Sequence, residues 1–180
     1  MHLHPQPSAP DPRGAALTRL FLAVRPPAAI LERIAGLDRH AGDGVRWVPP
    51  DQWHVTLRFL GEADRKEATE ALAGLVGTHA EVTLGPRVKR FKRSVVCLPA
   101  HGLDDLAAAV ATVTAEVGEA SRGGPFRGHL TLARLRRGAR CGLVGAPFSA
   151  TFAAGEVDLV ASTLAASGAR HDVIASVSLG

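Results

Sequence analysis

The chain of 180 residues is 46% apolar with a formal charge of +4, which allows one well-packed domain with a mild attraction for anions. No apolar run approaches the roughly 18 residues of a membrane span, and Met1–Ala16 lacks the apolar core of a secretory signal. Cys97 and Cys141 stand far apart and outside any CxxC pair, which argues against a disulfide framework and for a reducing cytoplasm.

Residues 1–16, with His2 and His4, are expected to form a disordered tail, leaving 17–180 as a single domain. Leu17–Val24 is a short apolar run closed by Arg25-Pro26-Pro27, the pattern of a buried strand leading into a helix. Ile30, Leu31, Ile34 and Leu37 recur at helical spacing. Val45–Val48, ahead of Pro49-Pro50-Asp51, is a brief strand and a turn. Trp53–Leu60 is a strand closed by Gly61. Asp64 and Glu67 form a capping box for a helix with the stripe Ala68, Ala71, Leu72, Leu75 and Val76. Val82–Phe91 and Val95–Pro99 read as strands around a basic turn, and Leu106, Val110, Val113 and Val117 mark another helix. Beyond Gly123-Gly124-Pro125 come the strands Gly128–Leu135, Val157–Ala165 and Val173–Leu179. This order of half-exposed strands and helices predicts an α+β fold with mostly antiparallel sheets.

One repeat carries chemistry. His54-Val55-Thr56-Leu57 and His129-Leu130-Thr131-Leu132 share one pattern, which points to two related halves. In a strand, His54 and Thr56 share one face while Val55 and Leu57 share the other, and the second copy behaves alike. An imidazole beside a hydroxyl is poorly suited to an apolar core, so each motif has a wet face and a core face. If the halves meet about a pseudo-two-fold axis, two histidines flank one cleft. One imidazole can then take a proton from an attacking oxygen while the other gives one to the leaving oxygen. Thr56, Thr131 and nearby arginines would meet charge on the phosphate. Arg58 shares parity with His54, whereas Arg134 reaches the cleft only if its strand ends or bulges before it. Each motif supplies one histidine and no third donor at zinc-site spacing, so no metal is expected.

Arg87–Arg93 holds five cations and Phe91, and Arg122 to Arg140 forms a second basic stretch without a carboxylate. Cations follow phosphates and an aromatic among them can stack a base, so Arg90, Phe91, Phe126 and Arg127 are the candidate RNA contacts. His40, His79 and His101 fall at predicted element ends and read as surface or capping residues.

Three blocks together resemble the two-histidine (2H) phosphoesterases, specifically the RNA 2′,3′-cyclic phosphodiesterases also called 2′-5′ RNA ligases. They are Arg19–Val24 with Pro26-Pro27, Arg46–Pro50 with His54–Glu62, and Phe126–Arg134. The resemblance implies a bilobal fold of two pseudo-symmetric lobes, their sheets lining a central basic cleft with helices outside. It implies hydrolysis of a terminal RNA 2′,3′-cyclic phosphate to a 2′-phosphomonoester, with 2′-5′ ligation as an added activity. His54 would be the proton donor and His129 the proton acceptor. The expected partner is RNA with such an end, engaged by a cytoplasmic monomer without membrane, metal or cofactor. The competing expectation is a non-catalytic RNA-binding module on the same cleft. Three departures stand out: Gly128 where proline is frequent, Trp53 where a small aliphatic is usual, and His171 where tyrosine is common. Gly128 is expected to loosen the approach to His129.

Overall fold

A computed structural model describes residues 17–40, 42–120, 123–165 and 168–180. The expected tail over 1–16, His2, His4 and Arg122 lie outside the described residues.

The strands are β1 (Thr18–Val24), β2 (Val45–Trp47), β3 (Val55–Ala63), β4 (Glu81–Leu84), β5 (Lys89–Phe91), β6 (Val95–His101), β7 (His129–Leu135), β8 (Ala150–Ala153), β9 (Glu156–Ala165) and β10 (Gly168–Ser178). The helices are α1 (Ala28–Ala35), α2 (Arg65–Leu72) and α3 (Asp104–Val113). The strands run in the order β10-β9-β1-β3-β7-β6-β4-β8, with β2 on β7 and β5 on β6. Every named pairing among the described residues is antiparallel, and the sheet curls with the helices outside, which is the α+β class expected.

The two copies of the repeated motif become the two central strands. β3 and β7 touch through a single ladder pair, Val55 with Leu130. In that order four strands lie on each side of the seam, β2 and β5 adding to the β7 side, and the pair lies at the middle of both motifs. Behind the seam one core is shared. Leu20, Leu22 and Val24 of β1, Leu130 and Leu132 of β7, and Ile34, Leu72, Leu106 and Val110 of the helices are all buried. Trp53 joins this core, and the Arg39 guanidinium lies 5.1 Å from its ring.

Local chemistry explains the element ends. Asp64 caps α2 as the capping box requires, its carboxylate accepting from the Glu67 amide at 2.9 Å. The helix nevertheless stops at Leu72, and Val76 is left exposed rather than on a buried stripe. The run Val82–Phe91 is two strands, not one. At Gly85 the backbone has φ 111° and passes so near Phe148 that an added Cβ would meet its carbonyl oxygen. β8, short and amphipathic, was not foreseen, and β10 begins at Gly168 instead of Val173.

Candidate functional site

Both motifs carry the same irregularity. Against β1, Leu22 pairs with Arg58 and Ala23 with Thr56, so Leu57 is an extra residue. Against β6, Val96 pairs with Ala133 and Cys97 with Thr131, so Leu132 is extra. Each slip turns two consecutive side chains inward: Leu57 and Arg58 are buried, as are Leu132 and Ala133. The residue that returns to the wet face is exposed Phe59 in one motif and exposed Arg134 in the other.

This slip corrects the expectation for Arg58. Its guanidinium donates to the Ala111 carbonyl at 2.9 Å, to Thr114 Oγ1 at 2.8 Å and to the Glu119 carbonyl at 3.2 Å. It therefore holds the C-terminal end of α3, where carbonyl dipoles favour a cation, and is no phosphate ligand. The condition set for Arg134 is met, because the slip at Leu132 puts it on the face of His129 and Thr131. Arg46 of β2 pairs directly with Arg134, adding a second cation there.

The histidines are held alike. Nδ1 of His54 donates to the Gln52 carbonyl at 2.7 Å, and Nδ1 of His129 donates to the Arg127 carbonyl at 2.8 Å. A carbonyl only accepts, so each neutral ring carries its proton on Nδ1 and keeps the Nε2 lone pair free. Phe21 stacks on His54 with centroids 4.9 Å apart, and Phe91 stacks on His129 at 4.5 Å. Thr56 and Thr131 lie two residues beyond their histidines, half-buried on either side of the Val55–Leu130 pair.

The surroundings differ. Burial pulls the His54 pKa down to about 4, opposed by the Gln52 hydrogen bond and helped by the nearness of His171, Arg25 and His129. His129 opens instead onto a pocket of about 320 Å³ lined by Lys89, Arg90, Phe91, Phe126, Arg127 and Asp104 among others. All four candidate RNA contacts thus converge beside one histidine. The Arg90 guanidinium is partly engaged, donating through Nε to the Arg93 carbonyl at 2.9 Å. His101, set aside as a surface residue, also lines this pocket. Gly128 is not loose. Its carbonyl accepts from the Ala100 amide at 2.9 Å, and an added Cβ would lie 2.6 Å from the Ala100 oxygen.

Phe21, Arg25 and Arg46 belong to the site but were not singled out for it, and His171 stood out only as a departure from the family pattern. His171 and Phe21 were hidden in strands whose facing cannot be fixed without the register. Only the Arg46–Pro50 block gave a signal for Arg46. Among the described residues no three potential metal-donor side chains converge.

The model of the LigT-like phosphoesterase family matches residues 22–85. Escherichia coli LigT in its apo form is similar at 29% identity and TM-score 0.74, covering 91% of this chain and 98% of that one. The same protein complexed with 3′-AMP matches at 29% identity and TM-score 0.73 over the same shares. A protein of Thermus thermophilus matches at 27% identity and TM-score 0.67, covering 89% of this chain and 97% of its own. No curated protein sequence matches the chain.

Proposed function

From the premise that the chain belongs to the LigT-like family of the two-histidine phosphoesterase superfamily, we propose that it hydrolyses a terminal RNA 2′,3′-cyclic phosphate to a 2′-phosphomonoester. The observation that carries this reading is the matched pair of imidazoles across the β3–β7 seam, each pinned through Nδ1 to the carbonyl two residues before it. Pinning fixes the tautomer, so both Nε2 atoms are available for proton transfer.

In this mechanism His129 Nε2 takes a proton from water as the water oxygen bonds to phosphorus. The bond from phosphorus to the 3′ oxygen breaks, and His54 Nε2 delivers a proton to that oxygen. Thr56, Thr131 and Arg134 meet the charge that builds on the non-bridging oxygens. Phe91 and Phe126 offer stacking surfaces for the terminal base, and Arg127 a cation for its neighbouring phosphate. E. coli LigT has been crystallised with 3′-AMP, which supports a nucleotide as the ligand class.

His54 is unprotonated in the free protein near neutral pH. As the acid it must gain its proton together with the phosphate, whose negative charge favours the imidazolium. Depressed basicity in the free protein also suits the opposite division, with His54 as base and His129 as acid. The pH profile of the His129→Ala variant, in which His54 alone of the pair titrates, discriminates the two.

The direct test is turnover of an oligonucleotide ending in 2′,3′-cyclic phosphate, in EDTA, by wild type, His54→Ala and His129→Ala. Each substitution should lower kcat by about 10²–10⁴-fold, the usual weight of one general acid or base. Full activity in both variants would overturn the proposal. A 2′-5′ ligation assay on the same proteins tests the added activity.

A further inference from the structure

His171 is the third imidazole of the cleft. It sits on β10 opposite Ser162 of β9, on the face that carries Val173, Val160 and Phe21. Its ring meets His54 edge-on with centroids 5.3 Å apart and meets Phe21 at 5.0 Å. The hairpin that brings it there is tied to the catalytic loop, since Gln52 Nε2 donates to the Ala169 carbonyl at 2.9 Å. The same Gln52 fixes His54 through its own carbonyl.

His171 differs from His54 and His129 in one respect. Its Nδ1 is buried and has no hydrogen-bond partner. A buried N–H without an acceptor is rarer than a buried lone pair without a donor. The neutral ring is therefore most stable with its proton on Nε2, at the outer end of the side chain. Two imidazoles of the cleft keep a bare Nε2, and the third keeps a protonated one. We propose that His171 is a substrate-binding residue that donates a hydrogen bond from Nε2 of a neutral ring to a phosphate oxygen. It acts on the His54 side of the cleft, beside Arg134.

The groups facing it agree with a neutral donor. Burial and the Arg134 cation on β7 lower its pKa, outweighing the carboxylates of Asp51 and Asp172. His54, just ahead of β3, is uncharged as well. A neutral donor binds phosphate without adding a cation beside the acid/base pair, so binding does not compete with protonation of His54.

The inference deepens the proposed phosphodiesterase reading but is tested without turnover. The full chain, labelled with nitrogen-15 in histidine, is titrated with inorganic phosphate at neutral pH. His171 should show a protonated Nε2 and a bare Nδ1, the reverse of His54 and His129, and phosphate should shift its Nε2. A His171 protonated on Nδ1, or phosphate that moves the other two rings and leaves His171 unmoved, would overturn it. His171→Phe keeps the ring and should weaken phosphate binding about tenfold, as loss of one hydrogen bond to a charged oxygen implies. His171→Gln places an amide donor near Nε2 and should recover most of it. Equal weakening in both would reduce His171 to a structural contact. If no cyclic phosphate is hydrolysed while phosphate still shifts His171, the proposed activity falls and the donor role stands.

Discussion

The two halves repeat one motif yet surround it differently. On the β3 side His54 lies under Phe21, which is 3% exposed, against the His171 ring, within a small apolar cluster with Ala23 and Val160. On the β7 side His129 lies under Phe91, which comes from the short strand β5, and faces a basic pocket. The stacking geometry is similar but its source is not: β1 belongs to the central run of strands, whereas β5 is an appendage on β6. This asymmetry suits the proposed hydrolysis. Attacking and leaving oxygens differ, and unlike environments push the two imidazoles toward unlike roles.

The sharpest way to test that contrast is the pH profile. In the free enzyme His54 has its pKa lowered to about 4. In the His129→Ala variant, where this imidazole alone of the pair titrates, residual kcat/KM falls about tenfold per unit as pH rises through that value if His54 is the acid. If it is the base, kcat/KM instead rises through the same value and levels off. Steady-state kinetics from mildly acid to neutral pH decides between them.

Breaking the enclosed side should cost stability. Phe21→Ala is expected to destabilise the fold by about 3–5 kcal/mol, measured by denaturant unfolding. An unchanged midpoint would show that the cluster around His54 contributes little to folding. The arginine pair separates the two faces further. Arg58→Ala should lower stability by about 2–3 kcal/mol through its lost charged hydrogen bonds, with phosphate affinity of the folded protein kept. Arg134→Ala should do the reverse, weakening phosphate binding with little change in unfolding. A phosphate-binding defect in the Arg58 variant would restore the role that its buried geometry denies.

On the open side the expected effect is smaller. Phe91→Ala should raise KM for an oligonucleotide by about tenfold, the lower part of the range for one base–aromatic stack, with no comparable change for a substrate lacking the stacked base. Equal effects on both substrates would mean that the ring serves only to hold His129.

Much of this was legible beforehand. The paired HxTL tetrapeptides, the capping box at Asp64, and the helix stripes of α1 and α3 each follow from local spacing. What escaped was register. Strict alternation along Trp53–Leu60 puts Arg58 beside His54, and only the slip at Leu57 turns it to the core. The same slip at Leu132 puts Arg134 where alternation forbids it. A clue existed in the second motif, where Leu132-Ala133 gives two apolar residues in succession, but the matching pair Leu57-Arg58 disguised it. Gly128 misled for a related reason. Its lack of a side chain reads as freedom, whereas the Ala100 backbone presses against it and leaves no space for a Cβ.

The seam between the halves has a mechanical consequence. β6 and β7 share five ladder pairs, while β3 and β7 share one, at Val55 and Leu130. The gap between the two imidazoles is thus spanned by the joint with the fewest ladder pairs between named strands among the described residues, backed by a common buried core. Elastic give at that joint changes the span between acid and base before it disturbs either half.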